Sequence, residues 1–137
     1  VQKHIDYELG PIAVGDATRG SEYQMWRARM ENNFVYLRAP NVPEFVLLDL
    51  PQVTEISFTF DQTARYVFSY VQAGIAKLYW YDSSIAAYTT TVFGSDVITP
   101  RVTLDDKRLY QRAISDVLLF YQRDNKLMMR MQRERFS

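Results

Sequence analysis

The chain has 137 residues, 47% of them hydrophobic and 15% aromatic, with five Gly, five Pro, one His and no Cys. That length supports one domain with a real core, and the composition excludes collagen-like, low-complexity, disulfide-stapled and thiolate-metal proteins. Net charge is zero but unevenly placed: five basic and eight acidic groups in residues 1–60, four and five in 61–107, seven and three in 108–137.

An acidic front and a basic tail suit contact between neighbouring copies, or with another protein. The absence of Cys fits assembly in a reducing cytosol. No apolar run approaches the roughly 20 residues that span a bilayer, so membrane insertion is not expected, and no signal peptide is visible. Ten Tyr, eight Phe and two Trp favour strands, where flat rings pack on a pleated surface.

Residues 1–22 are ambiguous. His4–Leu9 alternates weakly, Gly10-Pro11 breaks it, Ile12-Ala13-Val14 is a short apolar run, and Gly15 to Gly20 has loop composition. The segment reads as an inner or outer strand of a first unit, or as an arm. Tyr23–Met30 and Phe34–Leu37 read as a hairpin around Glu31-Asn32-Asn33, since Asn accepts a positive φ. Glu44–Leu50 reads as a third strand, apolar enough to be covered on both faces.

Residues 53–93 form one complete unit. Its strands are Val53–Phe60, Tyr66–Val71, Ala76–Tyr81 and Tyr88–Phe93, separated by Asp61-Gln62-Thr63, Gln72-Ala73-Gly74 and Asp82-Ser83-Ser84. The inner two strands carry large apolar or aromatic groups on both faces, which requires cover on both sides. A four-stranded antiparallel sheet of about 40 residues has the size of a β-propeller blade.

Residues 99–136 begin a third unit. Val102-Thr103-Leu104-Asp105 matches Phe58-Thr59-Phe60-Asp61, and Val117–Tyr121 and Lys126–Met131 flank the turn Arg123-Asp124-Asn125. A helix over Asp106–Ile114 is conceivable, and the tail Gln132–Ser137 is expected to continue the last strand. The chain therefore reads as a single all-β domain over residues 1–137. It consists of three blade-like antiparallel sheets, β-propeller-like or β-prism-like, with units of about 1–50, 51–97 and 98–137 and little or no helix. Three blades are too few to close a propeller, which typically has at least about four. The first unit reads as short of its starting strand and the third of its closing strand, an arrangement that invites homo-oligomers.

No catalytic constellation, cofactor motif or metal site is read. His4 alone supplies neither a triad nor a multi-His site. Asp105-Asp106 would point to opposite faces of a strand, so turn capping is the better reading, as for Asp61. Tyr79-Trp80-Tyr81 could stack on sugars, but alternation puts Trp80 opposite the two tyrosines, which favours core packing. Lys126, Arg130, Arg133 and Arg135 form a basic cluster read as a protein–protein interface, because the neutral chain lacks the concentrated basic surface of a nucleic-acid binder and Arg suits carboxylate partners.

Phe58–Asp61, Tyr70–Asp82, Thr99–Arg108 and Ser115–Tyr121 through Arg133–Phe136 together resemble a family of tailed-bacteriophage virion proteins found in the tail. The resemblance covers roughly the last two thirds of the chain and consists of packing and turn motifs. It implies a non-enzymatic, β-rich structural component of the tail, at its tip, connector or fibre attachment. Its expected partners are copies of itself, other tail proteins or a receptor-binding fibre, and its place is the virion, after assembly in the host cytoplasm. The alternative reading is a lectin-like module that binds host-surface glycan.

Overall fold

The computed structural model describes residues 7–8, 12–19, 22–39, 42–105 and 115–137, with side chains described from residue 26 onward. His4, Asp106, the conceivable helix over 106–114 and part of the 40–43 loop lie outside the described residues.

Among the described residues, twelve strands make three antiparallel sheets. The first holds β1 (Tyr7–Glu8), β2 (Ile12–Arg19), β3 (Glu22–Glu31), β4 (Phe34–Ala39) and β5 (Val42–Asp49). The second holds β6 (Val53–Phe60), β7 (Tyr66–Gln72), β8 (Ile75–Asp82) and β9 (Ala87–Gly94). The third holds β10 (Ile98–Asp105), β11 (Asp116–Arg123) and β12 (Lys126–Met131), followed by a 3-10 turn at Gln132–Glu134. Strand order within each sheet follows the chain.

Each sheet repeats one turn at one place. The second and third full strands are joined by two residues with left-handed backbone: Asn32-Asn33, Ala73-Gly74 and Asp124-Asn125. Two left-handed residues form the hairpin turn whose twist matches that of the flanking strands. Asn, Asp and Gly accept that conformation readily. Ala73, at φ 50°, does not, and carries a local strain of about 1 kcal/mol.

Sheet two is the middle layer. Its register sets Ile56 opposite Tyr70, Phe58 opposite Phe68 and Phe60 opposite Tyr66. That face packs with Trp26, Ala28, Val35 and Leu37 of sheet one to form the first core. The other face offers Val67, Ala76, Leu78 and Trp80 to Val102, Leu104, Val117, Leu119 and Tyr121 of sheet three, the second core. The two-faced apolar pattern of β7 and β8 therefore reflects cover on both sides, as the sequence suggests.

Two small hydroxyl residues let sheet three come close. Ser57 and Ser69 face each other across β6 and β7. The Ser69 hydroxyl donates to the Pro100 carbonyl at 3.1 Å, and the Val102 amide donates to Ser57 Oγ at 3.1 Å. A larger side chain at either place would hold the β10 backbone off. Strand β6 lies against both β2 and β10. The first full strand of each sheet is thus the one nearest its neighbour sheets, as in an arc of propeller blades.

Three expectations are corrected. Residues Gly15 to Arg19 are not a loop: β2 runs through them and pairs Gly15 with Trp26 and Asp16 with Met25. β2 supplies the starting strand that the first unit lacks on sequence alone, because eight consecutive backbone pairings outweigh the loop-like composition. The strand read as Glu44–Leu50 is covered on one face only, since Glu44 and Val46 are exposed. The tail does not continue β12. After Met131 the chain tightens into the 3-10 turn, and Arg135 and Phe136 turn left-handed at φ 55° and 56°.

Candidate functional site

The tail crosses one end of sheets two and three and closes a groove of about 510 Å³ there. Three buried aspartates stand around it, each at a strand end: Asp61 after β6, Asp82 at the end of β8 and Asp116 at the start of β11. Asp61 Oδ1 accepts from the Thr63 amide at 2.8 Å, the Thr63 hydroxyl at 2.7 Å and the Arg65 amide at 3.0 Å. This is the turn capping expected of Asp61. Its Oδ2 accepts from Gln132 Nε2 at 3.3 Å.

Asp82 divides its oxygens in the same way. Oδ1 takes the Ser84 amide at 2.9 Å and the Ser84 hydroxyl at 2.6 Å, while Oδ2 takes Arg135 Nε at 3.0 Å and Nη2 at 2.6 Å. The Ser84 hydroxyl, then Arg135, hold the Asp82 carboxyl below the usual carboxylate range against the opposing effect of desolvation. Asp116 accepts the Arg133 amide at 3.1 Å and Arg133 Nε at 2.8 Å. Between these contacts Phe136, 2% exposed, inserts into the second core and meets Trp80 edge-on at 5.0 Å. Its amide also caps the Met131 carbonyl at 2.9 Å.

The groove is thus a clasp. Each carboxylate gives oxygens to the tail, and Asp61 and Asp82 also brace their own turns. Every oxygen of the three accepts a donor. Among the described residues, no group of three or more His, Cys, Asp or Glu is placed to hold a metal ion. None of the described helical residues forms a span long and apolar enough to cross a membrane.

The four basic residues read as one interface cluster are dispersed. Lys126 sits at the hairpin tip opposite Arg123. Arg133 and Arg135 lie past the other end of β12, about 17 Å away at roughly 3.4 Å per residue. Arg133 and Arg135 are paired within the chain, although each remains largely exposed on its outer side. Arg130 donates to the Met129 carbonyl at 3.2 Å and lies 5.7 Å from the Tyr121 ring centre. Composition marked Arg as a carboxylate partner, but the partners that meet Arg133 and Arg135 are the chain's own.

Sequence alternation placed Trp80 away from Tyr79 and Tyr81, and the sheet does so. Trp80 joins the second core and donates Nε1 to the Thr91 hydroxyl at 2.9 Å. On the opposite face Tyr79 and Tyr88 stack at 4.9 Å and 4°, Tyr66 stacks on Tyr88 at 6.5 Å, and Tyr81 meets Tyr88 edge-on at 5.3 Å. Arg65 covers Tyr81 at 3.7 Å. Burial pushes the Tyr79 and Tyr88 hydroxyls up. A sugar platform needs free ring faces side by side; here the rings cover one another.

The two outermost faces differ in kind. On sheet one Arg29 bonds Glu44 and Glu31 and lies 4.4 Å over Tyr36, with Arg27 and Arg38 exposed nearby. Glu44 holds Arg29 charged, and Arg29 lowers the Glu44 carboxyl in return. On sheet three the register sets Leu118 opposite Met131, Phe120 opposite Met129 and Gln122 opposite Leu127. The β11–β12 part of that face is largely apolar, with Leu127 76% and Met129 44% exposed, while β10 adds Arg101 and Thr103 opposite Phe120 and Leu118. Sequence reading missed this face because Leu and Met at alternate positions look like core. Only the three-dimensional stack reveals that, among the described residues, no sheet lies beyond them.

Comparison with models of known protein families, with curated proteins and with solved structures found no match.

Proposed function

We propose that the chain is a non-enzymatic structural subunit of a bacteriophage tail that works through contacts with other subunits. The observation that carries the assembly part is the open end of the arc. Among the described residues sheet three has three strands where its neighbour has four, and Leu127 and Met129 on its outer side are exposed. Exposed apolar side chains gathered on one sheet face are a common mark of a protein contact, so another subunit is the natural cover. The clasp supports the same reading: the chain's own tail closes the groove and takes up its three carboxylates. The tail-of-virion part rests on the resemblance carried by Phe58–Asp61, Tyr70–Asp82, Thr99–Arg108 and Ser115–Phe136.

The test is peptide mass spectrometry of purified virions of the phage that encodes the chain. Stoichiometric recovery in particles supports the role. Particles complete and infectious without it would overturn the role.

A further inference from the structure

We infer that the outer side of sheet one carries a binding site for a carboxylate group, held between Arg27 and Arg38. The site stands apart from the assembly reading and does not need it. Strands β3 and β4 set Arg27 directly opposite Arg38, and Arg29 opposite Tyr36. Side chains in such cross-strand places start about 4.5–5.5 Å apart, where like charges repel. Strand β5 contributes through a bulge. Leu37 faces Phe45 and Ala39 faces Val42, so Pro43 and Glu44 share the place opposite Arg38. A bulge re-aims a side chain, and β5, an edge strand, tolerates the proline.

Glu44 is the nearest counter-charge for Arg38, yet it is committed elsewhere. Arg29 reaches across the Tyr36 ring and donates Nε to Glu44 Oε2 at 2.9 Å and Nη2 to Oε1 at 2.6 Å. Its Nη1 donates to Glu31. One guanidinium therefore takes both oxygens of Glu44. Arg38 and Arg27 act on Glu44 through charge alone. Both are exposed, and neither has a hydrogen-bond or ion-pair partner among the described residues. Arg27, Arg29, Arg38 and Glu44 line a pocket of about 140 Å³. At about 30 Å³ per water, it has room for a few waters or for one carboxylate group.

The charge count selects the ligand. Among the described side chains here, Arg27, Arg29 and Arg38 against Glu31 and Glu44 leave one net positive charge. Guanidinium forks suit the two oxygens of a carboxylate. A single carboxylate brings the place to neutrality and relieves the repulsion between Arg27 and Arg38. A dianion would overshoot beside Glu44 and Glu31. The carboxylate can belong to a free organic acid or to an Asp or Glu side chain of another protein.

Arginine Nε–H signals read the site directly by NMR. At constant ionic strength, replacing chloride by acetate is expected to shift the Arg27 and Arg38 signals saturably. The expected dissociation constant is roughly 1–10 mM, since both guanidiniums are open to solvent. Arg27→Gln and Arg38→Gln should each weaken acetate binding at least about fivefold, with the melting temperature in chloride unchanged or higher. Arg130→Gln, on sheet three, should change neither. A terminally blocked tripeptide with Glu at its centre identifies the source: binding tighter than acetate points to a protein side chain, and binding no tighter to a free acid. Three results would overturn the site as a carboxylate site: the same shifts from added chloride, acetate binding untouched by both Arg27→Gln and Arg38→Gln, or sulfate binding more tightly than acetate. Recovery from virions judges the assembly role separately.

Discussion

Replacing Phe136 by Ala tests whether the tail holds sheets two and three together. The ring is buried and edge-on to Trp80. Burial of such a ring contributes about 2–3 kcal/mol, and the aromatic pair about 1 kcal/mol. Against this, holding a non-glycine residue at φ 56° costs about 1–2 kcal/mol, and that cost persists in Ala. In a sealed core a Phe→Ala change costs about 3–5 kcal/mol. Here the tail can leave instead, because its remaining ion pairs are open to solvent on the Arg side and contribute about 1 kcal/mol at most each. Ordering its residues costs about 1–2 kcal/mol apiece. The loss therefore saturates near the low end, about 3 kcal/mol. With a urea m-value of about 2 kcal/mol/M, the midpoint should fall by about 1.5 M. Trypsin should cut at Arg133 and Arg135 well before the remainder, and Trp80 emission should shift red. A variant within about 0.5 kcal/mol of wild type, with its tail still resistant to trypsin, would refute the clasp.

Asp61→Ala removes the acceptor for two backbone amides and a hydroxyl; it should cost about 2 kcal/mol, measured by the same urea titration. Ala73→Asn keeps the two-residue turn and relieves its left-handed Ala; it should stabilise by about 1 kcal/mol, read as a higher melting temperature. Asp82 is held below its ordinary range by Ser84 and Arg135. Its contribution is therefore present above about pH 4, the unfolded Asp value, and is lost as pH falls through the lower folded value. Thermal melts from pH 7 to pH 2 should show a steeper acid loss for wild type than for Asp82→Asn; parallel curves would contradict the ion pair.

Much of the architecture is written locally. Strands β6 and β12 lie where alternation puts them, and β7, β8 and β9 differ by a residue or so at their ends, because Asp61, Gly74, Asp82 and Asp124-Asn125 punctuate them with residues that suit turns. β2 was illegible for the opposite reason: Gly15 and Asp16 are loop formers that the ladder with β3 overrides. The tail was illegible because Arg135 and Phe136 adopt a backbone that their side chains disfavour, and only the distant pocket beside Trp80 explains it. The placing of the basic residues was illegible for a related reason. Sequence gave the charges, but which carboxylates they meet depends on Asp82 and Asp116, brought in by the folding of two sheets.

The alternating connections give the stack two unlike rims. Asp61, Asp82, Asp116 and the clasped tail share one rim, where lengthening a loop would pry sheets apart. The tight turns at Asn32-Asn33, Ala73-Gly74 and Asp124-Asn125 share the other, and the tail does not reach them. A foreign peptide spliced into a turn of that second rim would be carried outward with the cores undisturbed. That rim is therefore the edge from which this fold can diversify or display cargo.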